Sequence, residues 1–285
     1  MAGRIMGRLL WGLLVALFLL GALQLAANRL APANDGLTDA PCPAPEPRLR
    51  HMARIAVLTL AGRRIETSDW DDLCIYQAEN AAIAARGAWP RAVFMGDSIT
   101  QYWGFDDPAL FGANALGGDV LNRGVSGQNS AQVLVRLMPD ALALRPKILH
   151  LMVGVNDVIG KRGPSRPEDY RNNIRAMVTL AQAQGIVVII GLIPPANGDG
   201  SDDRARTVPR IRALNGWLAA FAAERGLVVA DYYTPLAARD GSLRAAFSDD
   251  GLHPNHAGFA RMAPVARAAL AEADKRLAAE AGAVR

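Results

Sequence analysis

Val93-Phe94-Met95-Gly96-Asp97-Ser98-Ile99-Thr100 is a short apolar run that breaks off in Gly-Asp-Ser. Such a run reads as a buried parallel strand that carries a side chain to the carboxyl edge of a sheet. Open α/β sheets place their ligands at that edge. Gly96 permits a tight turn, and Ser98 follows it as either a turn residue or a nucleophile. The choice depends on whether the remaining 187 residues supply a base, an acid and donors for a developing negative charge.

Downstream of this stretch the pattern is regular. Strands are expected at 92–97, 119–124, 147–153, 186–193 and 227–231, and helices near 129–144, 167–184, 207–225 and 255–280. Pro167 suits a first helical turn, and Gly185 and Gly226 suit helix ends. Strands alternating with helices imply βαβ crossovers and a parallel sheet covered on both faces. The expected fold is therefore a three-layer α/β/α domain with a flavodoxin-like, five-stranded parallel sheet. Segments 101–118 and 157–166 show turn residues and little periodicity, and read as loops rimming the Ser98 end of the sheet. Upstream, Trp70 to Arg86 reads as a helix capped by Ser68 or Asp69, with Leu73, Gln77, Ala81 and Ala84 as its packing face.

The amino-terminal quarter is different. Arg4 and Arg8 precede Leu9 to Ala27, an apolar run interrupted by Gln24 and two glycines. Residues 1–33 read as a secretory signal or, slightly favoured, an uncleaved membrane anchor through residues 9–27. Positive charge on its amino side places the bulk of the chain outside, in the periplasm or on the outer face of the membrane. Residues 34–68 begin with a Pro-rich linker, and residues 69–282 are the expected domain. The net charge of +4 falls to +1 without Arg4, Arg8 and Arg29, and no basic stripe remains for nucleic acid. Two cysteines, Cys42 and Cys74, are compatible with one disulfide in an exported chain and lack the spacing of a metal site.

Four short stretches carry the chemistry: Gly96-Asp97-Ser98, Asn122-Arg123-Gly124-Val125-Ser126-Gly127, Gly154-Val155-Asn156-Asp157 and Asp249-Asp250-Gly251-Leu252-His253-Pro254. The first three follow the first three strands, and the fourth precedes the last helix. A serine nucleophile needs a neighbouring base, and His253 is the natural one. A carboxylate must orient that imidazole, and both Asp250 and Asp249 are close enough in sequence. Donors for an oxyanion are available from the Ser98 and Gly124 backbone N–H groups and the Asn156 side chain. Asp97 and Asp157 read as supports for their loops. His256 lies three residues beyond His253, but Pro254 intervenes and no metal-ligand set follows. His150 reads as a core residue. Trp103 and Phe105 are equally compatible with a substrate pocket and with the core, and Trp217 and Phe221 read as core.

With these blocks in place the chain resembles the SGNH, or GDSL-type, hydrolases. The matching residues are Gly96-Asp97-Ser98-Ile99, Gly124, Gly154-Val155-Asn156-Asp157 and Asp250-Gly251-Leu252-His253, over roughly residues 90–270. Met95 to Trp103 and Asn122-Arg123-Gly124 look most like the branch of platelet-activating-factor acetylhydrolase-like and bacterial carbohydrate-esterase-like members. The resemblance implies Ser98 as nucleophile, His253 as base, Asp250 as its partner, oxyanion donors at Ser98, Gly124 and Asn156, and neither metal nor cofactor. It implies a serine esterase acting on short-chain acyl or acetyl esters, including those of carbohydrates. The alternatives are a thioesterase or lysophospholipase for longer chains, and a non-catalytic glycan-binding module. The α/β-hydrolase pattern does not fit, because Thr100 stands where Gly-x-Ser-x-Gly requires its second glycine.

Overall fold

Strand residues of β1 (Ala92–Gly96) and β3 (Ile148–Met152) are buried without alternation. Since successive side chains point to opposite faces, both faces of the sheet are covered. The computed structural model of the chain describes residues 19–20, 22–23, 69–111, 120–198 and 204–283. The expected leader, the Pro-rich linker and Cys42 lie outside the described residues, apart from those four positions in the leader. One compact unit runs from Asp71 to Arg285, and the unit Met1–Trp70 is almost wholly undescribed.

Five strands form one parallel sheet in the order β2-β1-β3-β4-β5, with β2 at Val120–Gly124, β4 at Val187–Gly191 and β5 at Val228–Ala230. The register sets Gly96 beside Gly124 on one side and beside Met152 on the other. The strand order reverses between β1 and β3, so the crevice beyond their carboxyl ends is the expected ligand site. The three-layer fold anticipated from the alternation is the one found. Helix α1 is Gln77–Arg86, α2 is Ser98–Asp106, α3 is Pro108–Phe111, α4 is Ser130–Asp140 and α5 is Val155–Ile159. Helix α6 is Pro167–Gln182, α7 is Arg204–Glu224, and the long α8, His256–Ala283, lies against β4 and β5.

Three local expectations are corrected. The helix read from Trp70 begins at Gln77, behind a Tyr76 N-cap that makes no side-chain cap bond. Asp72 adopts φ 58, which a helix cannot continue through, and the Gln128 side chain holds the Asp71 carbonyl and the Asp72 carboxylate at 2.9 Å each. Asn80 and Ile83 form the buried face of α1, whereas Gln77, Ala81 and Ala84 are exposed. Segment 101–118 is helical through α2 and α3 as far as Phe111, and Val155–Ile159 is also helical. Both segments are shorter than two or three turns, so periodicity had too few residues to register. The helix expected over 129–144 ends at Asp140, close behind Pro139, and a 3₁₀ turn at Leu142–Leu144 finishes the segment. Cys74 is disulfide-bonded.

Candidate active site

Ser98 is the first residue of α2, two residues beyond the end of β1. Asp97 caps the helix by accepting the Ile99 N–H at 3.0 Å. A first-turn residue has no intrahelical acceptor for its own N–H, and the Ser98 N–H, at a positive helix end, has no acceptor among the described residues. Ser98 and Asn156 are each 3% exposed, at the bottom of the crevice.

The fourth sequence block reaches Ser98 across 155 residues. His253 Nε2 lies 2.9 Å from Ser98 Oγ, and its Nδ1 lies 2.6 Å from Asp250 Oδ2. A carboxylate only accepts, so Nδ1 carries the proton and Nε2 is left free to accept from the serine hydroxyl. Asp250 Oδ1 also accepts the N–H groups of His253 at 2.7 Å and Leu252 at 2.8 Å. Partial burial pushes the Asp250 carboxyl upward, but these bonds outweigh it and hold the group at about 2. Asp249 is directed elsewhere and accepts Asn255 Nδ2 at 3.1 Å, so the geometry distinguishes the two candidate carboxylates.

The donor side departs from expectation at Gly124. Its N–H donates to Asn122 Oδ1 at 2.9 Å, and its carbonyl accepts the Tyr76 hydroxyl at 2.6 Å. Both polar groups are engaged. The glycine is needed for packing, because a Cβ there would strike the Gln101 nitrogen and approach the Asp97 carbonyl to 2.8 Å. Asn122 Nδ2 ties the same turn by donating to the Thr100 carbonyl at 2.6 Å. Gly127, three residues on, sits in a turn with φ +78, and its N–H has no acceptor among the described residues. Asn156 Nδ2 donates to the Gln128 carbonyl at 2.9 Å, which sets the Gly127–Gln128 turn beside the Asn156 amide. A strand residue spends its N–H near the strand, whereas a turn glycine just past the strand end keeps its own, and the second glycine of Gly-Val-Ser-Gly was the overlooked signal.

Asp157 binds the start of α4, accepting Ser130 Oγ at 2.6 Å and the Ser130 N–H at 2.9 Å. It therefore braces the loop after β2 from the loop after β3. Burial raises the Asp157 carboxyl. Burial is also the main reason that Asp97 rises to about 7; Asp157 adds to the rise, and the Ile99 and Gly154 backbone groups oppose it.

Tyr102, four residues after Ser98 on α2, was not singled out in the sequence. Its ring lies 4.9 Å from that of His253, and its hydroxyl is 3.3 Å from Ser126 Oγ. Phe105, on the same helical face, is 76% exposed. Trp103 is fully buried and stacks on Phe259, so it belongs to the core. Trp217 and Phe221 stack at 5.1 Å. His150 stacks on Phe94 at 4.0 Å with Nε2 2.8 Å from the Tyr232 hydroxyl, and burial lowers it to about 3, so it is neutral. His256 turns to Asp106 at 3.1 Å, away from His253.

Comparison with known proteins agrees with this geometry. The profile of the GDSL-like lipase/acylhydrolase family matches residues 94–261, which include all four blocks. A Bacteroides fragilis structure assigned as an acylhydrolase is 31% identical, covering 72% of this chain and 99% of that one, with a TM-score of 0.65. A GDSL-like lipase from Bacteroides thetaiotaomicron is 29% identical, covering 73% and 98%, with a TM-score of 0.62. An acetylxylan esterase from Geobacillus stearothermophilus shares the fold at 20% identity, covering 63% and 93%, with a TM-score of 0.52. An uncharacterized lipoprotein of Bacillus subtilis, YqeF, is 31% identical over 87 residues, which are 29% of this chain. The match spans about a third (35%) of the length of that curated relative. No helix among the described residues is long and apolar enough to cross a membrane. The chain belongs to the GDSL-like lipase/acylhydrolase family and is a hydrolase of ester bonds.

Proposed function

We propose that this protein is a serine esterase that works through an acyl-enzyme on short-chain acyl or acetyl esters, including those of carbohydrates. The observation that carries the reading is the unbroken hydrogen-bonded line from Ser98 through His253 to Asp250. Ser98 Oγ attacks the ester carbonyl as its proton passes to His253 Nε2, and Asp250 stabilises the imidazolium. The oxyanion is held by the Ser98 N–H, the second Asn156 amide hydrogen and, in place of Gly124, the Gly127 N–H. His253 returns the proton to the leaving alkoxide, freeing the alcohol. It then takes a proton from water, whose oxygen attacks the acyl group, and Ser98 departs as its hydroxyl is restored.

The exposed Phe105 beside Tyr102 favours a second reading, a lysophospholipase or thioesterase that lays a longer chain on this face. In either reading the apolar run at residues 9–27 exports the protein and holds it at the periplasmic or outer face of the membrane. Small-molecule or carbohydrate esters are the expected partners. Hydrolysis of p-nitrophenyl esters from acetate to decanoate, with Ser98→Ala alongside, separates these readings. Activity confined to short esters and absent from the variant supports the first. A maximum at decanoate supports the second. Unchanged activity in Ser98→Ala overturns both.

A further inference from the structure

Behind the donors lies a polar network that the reaction itself does not use. Gln128 is fully buried, and every polar group of its side chain is engaged. Its Oε1 accepts Arg136 Nε at 2.7 Å, and its Nε2 donates to the Asp71 carbonyl and Asp72 Oδ2 at 2.9 Å each. Arg136 is also fully buried. It donates to Asp140 Oδ2 at 2.6 Å and to the Arg123 carbonyl at 3.0 Å. Asp140 accepts Asn80 Nδ2 at 2.7 Å, and Asn80 Oδ1 in turn accepts Arg123 Nε at 3.1 Å and Nη2 at 2.9 Å. The network thus joins α1, β2, α4 and the segment before α1; Arg162 links its Asp72 end, at 3.9 Å, to the Gly127 carbonyl, to which Arg162 Nε donates at 3.3 Å, and the network reaches Asn156 through Gln128. The carbonyl of that residue receives Asn156 Nδ2, and its amide plane adjoins Gly127.

A buried guanidinium and carboxylate pay a large desolvation cost that apolar side chains of similar volume would avoid. Fully satisfied buried networks confer direction in return, because each bond has a fixed angle. Here the direction is useful: turning the Gln128 carbonyl rotates the Asn156 amide that donates to it, and moving Gln128 moves the adjoining Gly127. We propose that Gln128 and Arg136 are positioning residues for the oxyanion donors. Arg136 fixes the Gln128 side chain, and Gln128 fixes the carbonyl that orients Asn156. This rests on the serine-esterase reading above. The same side chain ties the turn at residues 127–128 to residues 71–72, which lie 56 or 57 positions away in sequence.

The test measures kcat and KM on p-nitrophenyl acetate for the full chain, with Ser98→Ala as the control for the underlying reading. Gln128→Met removes both side-chain links. It is expected to lower kcat about 10²-fold, the cost of misplacing a reacting group by on the order of 1 Å, with KM within about threefold of wild type. Gln128→Glu keeps the acceptor for Arg136 but sets a carboxylate oxygen where Nε2 donated to the Asp71 carbonyl and Asp72 Oδ2, so it is expected to be at least as slow as Gln128→Met. If Gln128→Met does not fold, Gln128→Asn keeps the amide, shortens its reach by one methylene and carries the same expectation of lowered kcat at constant KM. Wild-type kcat in the folded Met, Asn or Glu variant overturns the proposal, as does a loss confined to KM. Retained activity in Ser98→Ala instead overturns the esterase mechanism, so the two failures are distinguishable.

Discussion

The two halves of the site are built differently. The proton relay sits at the protein surface: the Asp250 side chain is 55% exposed and His253 23%, on a loop closed by bonds spanning two or three residues. The donor half is buried apart from Gly127, which is half-buried. Asn156, Gln128 and Arg136 are almost or wholly without exposure, and their bonds reach across up to 57 residues. A relay that must exchange protons with water and release an alcohol works at the surface. Donors for a developing charge act most strongly where water is excluded and their direction is fixed in advance. Chemistry that turns over is therefore held locally, and geometry that must not change is held by the whole fold.

The largest expected effect tests the point at which the halves meet. Ser98→Ala is expected to lower kcat on p-nitrophenyl acetate by on the order of 10⁶-fold with the unfolding midpoint unchanged. On the surface side, Asp250→Asn is expected to cost about 10⁴-fold in kcat, because an amide can stabilise the wrong imidazole tautomer. A loss under tenfold would show that the local loop alone orients His253. On the buried side, the Asp97 carboxyl lies well above its unfolded value. It favours the folded state fully below pH about 4, and that contribution is lost as pH rises through about 7. Denaturant unfolding between pH 4 and 8 should show stability falling by up to about 4 kcal/mol from this group, at 1.36 kcal/mol per pH unit. Asp97→Asn, which keeps the helix cap, should flatten that slope, and an unchanged slope would remove Asp97 as its source. Asn156→Ala is expected to lower kcat about 10²–10³-fold at nearly constant KM, the loss of one oxyanion donor. The smallest effect sharpens the contrast between neighbours: Asp249→Asn should leave kcat within about threefold, since Asp249 binds Asn255 and not His253.

Most of the fold was legible, because the buried strands are unbroken apolar runs and the long helices carry caps and periodicity. Pro167 opens α6 as its fixed φ predicts, and Gly185 and Gly226 both take positive φ after their helices. The errors occur where single hydrogen bonds, near or distant, override the pattern. Asp72 bends the chain before α1 under the hold of Gln128, and α2 starts at Ser98 because Asp97 caps it. Gly124 was read as a donor because it closes a recognisable block, although its N–H was already engaged by Asn122 two residues earlier.

From its order alone the chain determined a parallel sheet, three blocks at strand ends and a fourth before the last helix, with Ser98 and His253 as candidates for the relay and Asp249 and Asp250 both open as its carboxylate. Side-chain type and spacing suffice for these, since hydrophobic period and short-range turn geometry are local properties. Only the tertiary structure distinguished Asp250 from Asp249, moved the free donor from Gly124 to Gly127, and disclosed the network through Gln128 and Arg136. Those outcomes depend on which hydrogen bonds are already occupied: short-range ones at Asn122 and Asn255, which residue type and spacing do not reveal, and long-range ones at Gln128, whose partners meet only when the sheet has formed.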